Sequence, residues 1–301
     1  MPNLNCLLSL LVPLAALLAF APVSAQEPAG TLDYAGLKRT YTLYVPEGVD
    51  SQSDPLPLVI ALHPAGSNGA GMARITGLNT LADQEGFLVL YPDGPGGYWD
   101  YGWNTPEWDS VPDVRDDPGF IAALLDTVMA DYPVDAQRIY ALGFSNGGRM
   151  VYRLACEMNG RLAAVAAVSG TLTSDVAAIC PEEIQVSMLM LHGTADRVIP
   201  WNGKPLYLDG EHVGDTFPVL DTLDFWVARS TCPDTAELSQ LDISDRISIR
   251  HARYSGCIGE SGVDFYGMVG GGHEWFTYLG FDTTAVIWDF FTAHPLADDT
   301  E

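Results

Sequence analysis

The chain is poor in positive charge. Of its 301 residues only 14 are Lys or Arg, against 39 Asp or Glu, and Lys38 and Lys204 are its only lysines. The formal net charge of −25 creates a field that repels nucleic acid, anionic polysaccharide and anionic lipid. A nucleic-acid partner is therefore not expected, and a neutral or apolar substrate is favoured. Long apolar runs are equally scarce: "LLSLLVPLAALLAFAPVSA", residues 7–25, is the single one, and nothing after it reaches spanning length. Internal repeats and low-complexity linkers are absent too, which leaves one large domain rather than a modular chain.

The early apolar run is interrupted by Pro13 and Pro22 and ends in Val23-Ser24-Ala25, a small-x-small cleavage pattern. Residues 1–25 are thus expected to be a secretory signal, although "MPNLN" ahead of the run offers only its terminal amine as positive charge. Residues 26–301 then form a single exported domain, extracellular or periplasmic, without membrane attachment. The chain's 48% hydrophobic content is enough for a substantial core without metal support. Cysteine is sparse, and Cys156, Cys180, Cys232 and Cys257 are the four beyond the signal. An even number in an exported chain suggests two disulfides. Cys156 with Cys180 and Cys232 with Cys257 are expected, because each pair closes a loop of about 25 residues between consecutive elements.

What is present in quantity is strand and helix in alternation. "YTLYV" (41–45), "LPLVIALH" (56–63), "FLVLY" (87–91), "RIYALGF" (138–144), "AAVAAVS" (163–169) and "VSMLMLH" (186–192) have the short, β-rich, apolar character of strands. Helices are expected at about 73–85, 117–131, 146–158, 219–230 and 283–294, and final strands at 246–254 and 263–269. This alternation predicts an α/β fold whose mostly parallel sheet is covered on both faces. In such sheets ligands meet the loops beyond the carboxyl ends of the strands.

Ser145 sits at one of those ends, in Gly143-Phe144-Ser145-Asn146-Gly147, after a strand and before the amphipathic "NGGRMVYRLACEM". A sharp strand-to-helix turn lifts a serine hydroxyl above the sheet, and flanking glycines remove the Cβ atoms that would collide there. A serine hydroxyl is a weak nucleophile near neutral pH and needs a histidine base oriented by a carboxylate. His273 in "MVGGGHEWF" follows the last expected strand on a glycine-rich loop, whereas His212 in a polar loop, His251 within a strand and His294 in the tail are poorer bases. Asp196 in "MLMLHGTADRVIPW" lies just past a strongly apolar strand. The chain order Ser145, Asp196, His273 is that of α/β-hydrolases.

A tetrahedral intermediate also requires donors for its oxyanion: the N–H of Asn146, directly after the nucleophile, and one from "LHPAGSNG" (62–69). Pro64 has no N–H, so Ala65 is the candidate. Aromatic residues gather near the expected mouth: Tyr98, Trp99, Tyr101, Trp103 and Trp108 in one loop, Trp201 after the acid, and Trp275 beside the base. Trp201, Trp275, Trp103 and His63 are the substrate-contact candidates, with the aromatic rings suited to stacking on an aromatic or polyester acyl group. No metal or other cofactor is expected.

Together "LHPAGSNG", "YPDG" (91–94), "DDPGF" (116–120), "GFSNGGRM", "HGTADRVIPW", "GGGHEW" and the terminal "VIWDFF" resemble the secreted esterases of the polyhydroxybutyrate depolymerase and feruloyl esterase type, allied to carbohydrate esterase family 1. The resemblance covers nearly the whole of residues 26–301. It implies an α/β-hydrolase fold, Ser145, Asp196 and His273 as nucleophile, acid and base, and Ala65 and Asn146 as oxyanion donors. The first loop departs from that family in carrying Pro64 where glycine is usual. The resemblance further implies a serine esterase acting on feruloyl, hydroxycinnamoyl or acetyl esters of plant polysaccharide. A hydroxyalkanoate depolymerase is the alternative substrate reading, and a binding protein on an inactive hydrolase scaffold is the alternative of another class.

Overall fold

The computed structural model describes residues 29–50, 53–101, 116–208, 211–278 and 280–297, with no description of the side chains of 206–214. The expected signal segment, Trp103 and Trp108 lie outside the described residues. In chain order the first half contains β1 (Ala29–Tyr34), β2 (Leu37–Tyr44), β3 (Leu56–Leu62), α1 (Gly69–Thr76), α2 (Leu78–Glu85), β4 (Leu88–Pro92), α3 (Asp117–Asp131), β5 (Val134–Phe144) and α4 (Asn146–Glu157). The second half contains β6 (Ala164–Val168), α5 (Ser174–Ile179), β7 (Ser187–Gly193), β8 (Lys204–Leu208), β9 (Glu211–Thr216), α6 (Val219–Arg229) and β10 (Glu237–Asp242). It closes with β11 (Ser248–Tyr254), β12 (Val263–Val269), β13 (Thr277–Tyr278), β14 (Phe281–Asp282) and α7 (Thr283–Ala293).

Among the described residues ten strands form one sheet in the order β1-β2-β4-β3-β5-β6-β7-β12-β11-β10. From β4 to β12 every neighbour is parallel. The antiparallel pairings are confined to the two ends. The carboxyl ends of β3, β5, β6, β7 and β12 therefore emerge along one edge, which is where the loops bearing the candidate residues begin.

Alternation of side chains along a strand sends successive residues to opposite faces, and β3 makes this visible. Leu58, Ile60 and Leu62 pack on the side holding Phe120 and Leu124 of α3, Val151 of α4 and Trp226 of α6. Val59 and Ala61 pack on the other side, with Met72 of α1, Leu78 and Ala82 of α2, and Ile287 and Phe291 of α7. All five of these β3 residues are wholly buried, which is why the strand is written as an unbroken apolar run.

The expected helix at 73–85 is two helices. Asn68 caps α1 by accepting the Gly71 N–H at 2.9 Å, and Gly77, at φ 65°, ends it in a left-handed cap with its N–H on the Ala73 carbonyl. The helix α3 matches its expected bounds because its start is written locally: Asp116 accepts the Gly119 N–H at 2.9 Å and Pro118 stands in the first turn. Residues 211–216, including His212, form a strand rather than the expected polar loop. Both expected disulfides are present, Cys156–Cys180 joining the ends of α4 and α5 and Cys232–Cys257 joining the segments after α6 and β11. Among the described residues no helix is long and apolar enough to cross a membrane.

Candidate active site

Ser145 links β5 to α4 at φ 57° and ψ −114°, a backbone conformation that costs a non-glycine residue energy and survives only where the surroundings impose it. They do impose it. The Ser145 N–H donates to the Val168 carbonyl of β6 at 2.9 Å, and its carbonyl accepts the Arg149 N–H at 3.0 Å. The flanking glycines leave no alternative: a Cβ on Gly143 would stand 2.2 Å from the Gly147 carbonyl oxygen, and one on Gly147 would stand 2.2 Å from that of Leu62. The strand, the turn and α4 are packed backbone against backbone.

Three loops converge on this turn. His273 Nε2 lies 2.8 Å from Ser145 Oγ, and its Nδ1 lies 2.7 Å from Asp196 Oδ2. The second oxygen of Asp196 accepts the N–H groups of Val198 at 2.8 Å and Ile199 at 2.9 Å. With a carboxylate facing Nδ1, the proton of neutral His273 belongs there, and Nε2 offers its lone pair to the serine hydroxyl. Burial works against the charge on Asp196, but the hydrogen bonds from His273, Ile199 and Val198 outweigh it and hold the carboxyl below the usual carboxylate range. Ser145 and Asp196 are 8% and 5% exposed, and the Asp196 side chain is wholly buried. Phe144 stacks on the His273 ring at 5.2 Å.

The loops of the acid and the base are also stitched to each other. Thr194 N–H donates to the Met268 carbonyl and Ala195 N–H to that of Gly271, both at 2.9 Å, and Gly270 N–H donates to Thr194 Oγ1 at 2.9 Å. Ser169 Oγ donates to the Glu274 carbonyl at 3.3 Å. Lys204 Nζ donates to the Val198 carbonyl at 3.0 Å. His192 is buried beneath Asp196, with Nε2 donating to the Ile199 carbonyl at 2.9 Å. Burial pushes its pKa below the ordinary histidine value and keeps it neutral.

The other candidates divide. Asn146 heads α4, where the first N–H groups of a helix have no intrahelical partner and the helix dipole is positive. Ala65 is exposed in the loop after β3. Trp275 is half-buried, its indole N–H donating to Thr284 Oγ1 at 3.1 Å and its ring meeting Phe144 edge-on at 6.2 Å. Trp201 is half-buried against His192 and Phe265. His63 does not face the mouth. It is wholly buried, its Nδ1 donates to the Pro64 carbonyl and its Nε2 accepts the Gly94 N–H, both at 2.9 Å, and burial lowers its pKa. Trp99 is likewise wholly buried and bonded, so it is no stacking surface. Two of the histidines set aside as bases are engaged elsewhere, His251 with Asp264 at 2.9 Å and His294 with the Phe290 carbonyl at 2.7 Å. Among the described residues no group of three or more His, Cys, Asp or Glu is arranged to hold a metal ion.

Several residues that hold the site were not singled out by sequence reasoning. Arg39, 4% exposed, pairs with wholly buried Asp117 at 2.8 Å and donates to the Asp93 carbonyl at 3.1 Å. Asp117 in turn accepts the Asp100 N–H at 2.7 Å, and Asp93 accepts the Gly69 N–H at 2.7 Å. The "YPDG" and "DDPGF" segments are therefore the anchors of the loop 93–101. Their signal was present in the sequence as acidic residues with neighbouring Pro and Gly, but their common partner is distant in the chain.

A parallel-centred sheet with a strained serine turn, a histidine and a carboxylate at one edge defines the class: the α/β-hydrolase fold. Residues 39–194 match the family model described as Esterase PHB depolymerase, and the chain belongs to that family. The matched segment includes Ser145, Ala65 and Asn146 and stops two residues short of Asp196. NocK of Nocardia uniformis subsp. tsuyamanensis, which carries an esterase name, is 35% identical over 170 residues, 56% of this chain and 48% of its own. Feruloyl esterase D of Neurospora crassa is 29% identical over 212 residues, 64% of this chain and 68% of its own. The chain thus spans about half the length of NocK. An acetyl xylan esterase from Aspergillus awamori has the same fold with a TM-score of 0.60 at 16% identity, covering 88% of this chain and 99% of its own.

Proposed function

We propose that the protein is an exported serine carboxylesterase, formed by residues 26–301 after removal of residues 1–25, and that it takes feruloyl, other hydroxycinnamoyl or acetyl esters of plant polysaccharide. The observation that carries this reading is the hydrogen-bonded run from Asp196 through His273 to Ser145 at 2.7 and 2.8 Å. His273 Nε2 takes the serine proton as Ser145 Oγ bonds to the ester carbonyl carbon, and the N–H groups of Ala65 and Asn146 receive the developing oxyanion. Collapse breaks the carbon–oxygen bond to the alcohol, which leaves with the proton from His273. Water, deprotonated by His273, then attacks the acyl-serine, releasing the carboxylic acid and restoring the hydroxyl. Asp196 stays ionised throughout and stabilises the imidazolium.

Two features support the substrate class. The −25 net charge favours neutral esters, and Phe144, Trp275 and Trp201 supply aromatic surface around His273 and the acid loop. The family description and the feruloyl esterase name of a relative support two substrates in parallel, so polyester cleavage of hydroxyalkanoate oligomers is the second reading. Hydrolysis of methyl ferulate, acetylated xylan and hydroxybutyrate oligomers by the same preparation separates them. Release of ferulate or acetate at the higher kcat/KM supports the first reading. Turnover of the oligomers alone replaces it with the second, and inertness toward all three favours a binding protein.

A further inference from the structure

The loops that carry the two oxyanion donors, Ala65 after β3 and Asn146 after β5, are joined by a third segment through one residue, by its side chain on one side and its backbone on the other. Trp99, wholly buried, donates its indole N–H to the His63 carbonyl at 3.0 Å and its main-chain N–H to Asn146 Oδ1 at 2.7 Å. The same segment holds the first loop at further points. Gly94 N–H reaches the His63 ring, the Gly66 N–H donates to the Gly97 carbonyl at 2.8 Å, and the Trp99 and His63 rings lie 4.9 Å apart. Ala65 thus stands between two residues that are both clasped. Asn146 is fixed from the opposite side by its own side chain. The clasp is itself tied down by the buried Arg39–Asp117 pair and by Asp117 on the Asp100 N–H.

We propose that Trp99 is a positioning residue that sets the spacing between the Ala65 and Asn146 N–H groups, acting through the His63 carbonyl on one side and the Asn146 side chain on the other. The inference rests on the serine esterase reading above. An oxyanion hole works only if its donors already stand where the charge will develop. A carbonyl held by the indole N–H and a side-chain amide held by the main-chain N–H of the same residue meet that need better than two free loops would. The geometry also accounts for a buried tryptophan whose polar atoms all point at the two site loops rather than at the core.

Trp99→Phe in the full chain keeps an aromatic ring and deletes the indole N–H. It is expected to lower kcat on p-nitrophenyl acetate about tenfold or more, leave KM within about twofold, and weaken inhibition by phenylboronic acid by the same factor as kcat/KM. A boronate becomes tetrahedral on serine, so its affinity reads the oxyanion site, which a loss of packing elsewhere would not move selectively. A folded Trp99→Phe protein with wild-type kcat and boronate affinity overturns the proposal, as does a rise in KM at unchanged kcat. Asn146→Ala, which keeps the N–H and cuts the other arm of the clasp, carries the same test and the same outcomes if Trp99→Phe does not fold. Ser145→Ala separates the two levels: persistent turnover in that variant removes the serine mechanism itself. Its loss alongside an unaffected Trp99→Phe removes only the clasp.

Discussion

Replacing Asp196 by Asn tests the orientation of the base with almost no change in shape. Asp196 Oδ1 accepts two backbone N–H groups, those of Val198 and Ile199, and Oδ2 faces His273 Nδ1 at 2.7 Å. An amide must keep its oxygen on the two N–H groups, because turning it would set its NH2 against them. The NH2 then points at His273 and donates, so Nδ1 must accept and the ring proton moves to Nε2. There it faces Ser145 Oγ at 2.8 Å as a donor, and the base has lost its lone pair for the serine proton. The expected loss is about 10⁴ in kcat, or ~5.5 kcal/mol of transition-state stabilisation. KM should change little, since no substrate contact is touched. Stability should fall by only about 1–2 kcal/mol, as charge-assisted bonds become neutral ones. Initial rates on p-nitrophenyl acetate near pH 8, with urea unfolding of the same preparation, measure all three. An Asp196→Asn variant within tenfold of wild-type kcat would refute the assignment of a tautomer set by this carboxylate.

Three further outcomes follow from the packing. Gly147→Ala puts a Cβ 2.2 Å from the Leu62 carbonyl oxygen, so a loss of about 3 kcal/mol or more in urea unfolding is expected; unchanged stability and turnover would contradict the backbone contact. Replacing Cys156 and Cys180 together by Ser opens a loop with a sequence separation of 24 and should cost about 3 kcal/mol, read as a lower urea midpoint, while an unmoved midpoint would refute it. Burial lowers the pKa values of His63 and His192, so the unfolded chain binds protons that the folded one refuses. Their contribution is complete above the ordinary histidine value of about 6.5 and is lost as pH falls below it, by about 1.4 kcal/mol per pH unit for each, until the lowered folded values are reached. Urea unfolding at pH 7.5 and 5.5 checks this, and equal stability at the two would contradict it.

The parts of this molecule that could be read from the letters are those written locally. The helix α3 announces itself with Asp116 and Pro118, and β3 and β12 appear as short apolar runs bounded by turn residues. The residues Ser145, Asp196 and His273 could be found because each follows a strand of a parallel sheet and their order is constrained by the fold. Elements without a buried face escaped: β10 is exposed at all six positions, so no alternation marks it. The strand β1 pairs with β2 through Ala35 and Gly36, both at positive φ, a turn whose first residue does not advertise that conformation. Aromatic composition misled at Trp99 and His63. A tryptophan near a mouth and one that clasps two loops from behind look alike until their distant partners, His63 and Asn146, are brought together by the sheet.

The central claim is that the Ser145 hydroxyl is a nucleophile made so by His273. Intact-mass measurement after incubation with a fluorophosphonate, in which the serine oxygen displaces fluoride from phosphorus, tests it most directly. The account predicts one adduct per chain, located on Ser145 by peptide mapping and absent from Ser145→Ala. An unmodified wild-type chain, or an adduct that persists in that variant, would contradict it.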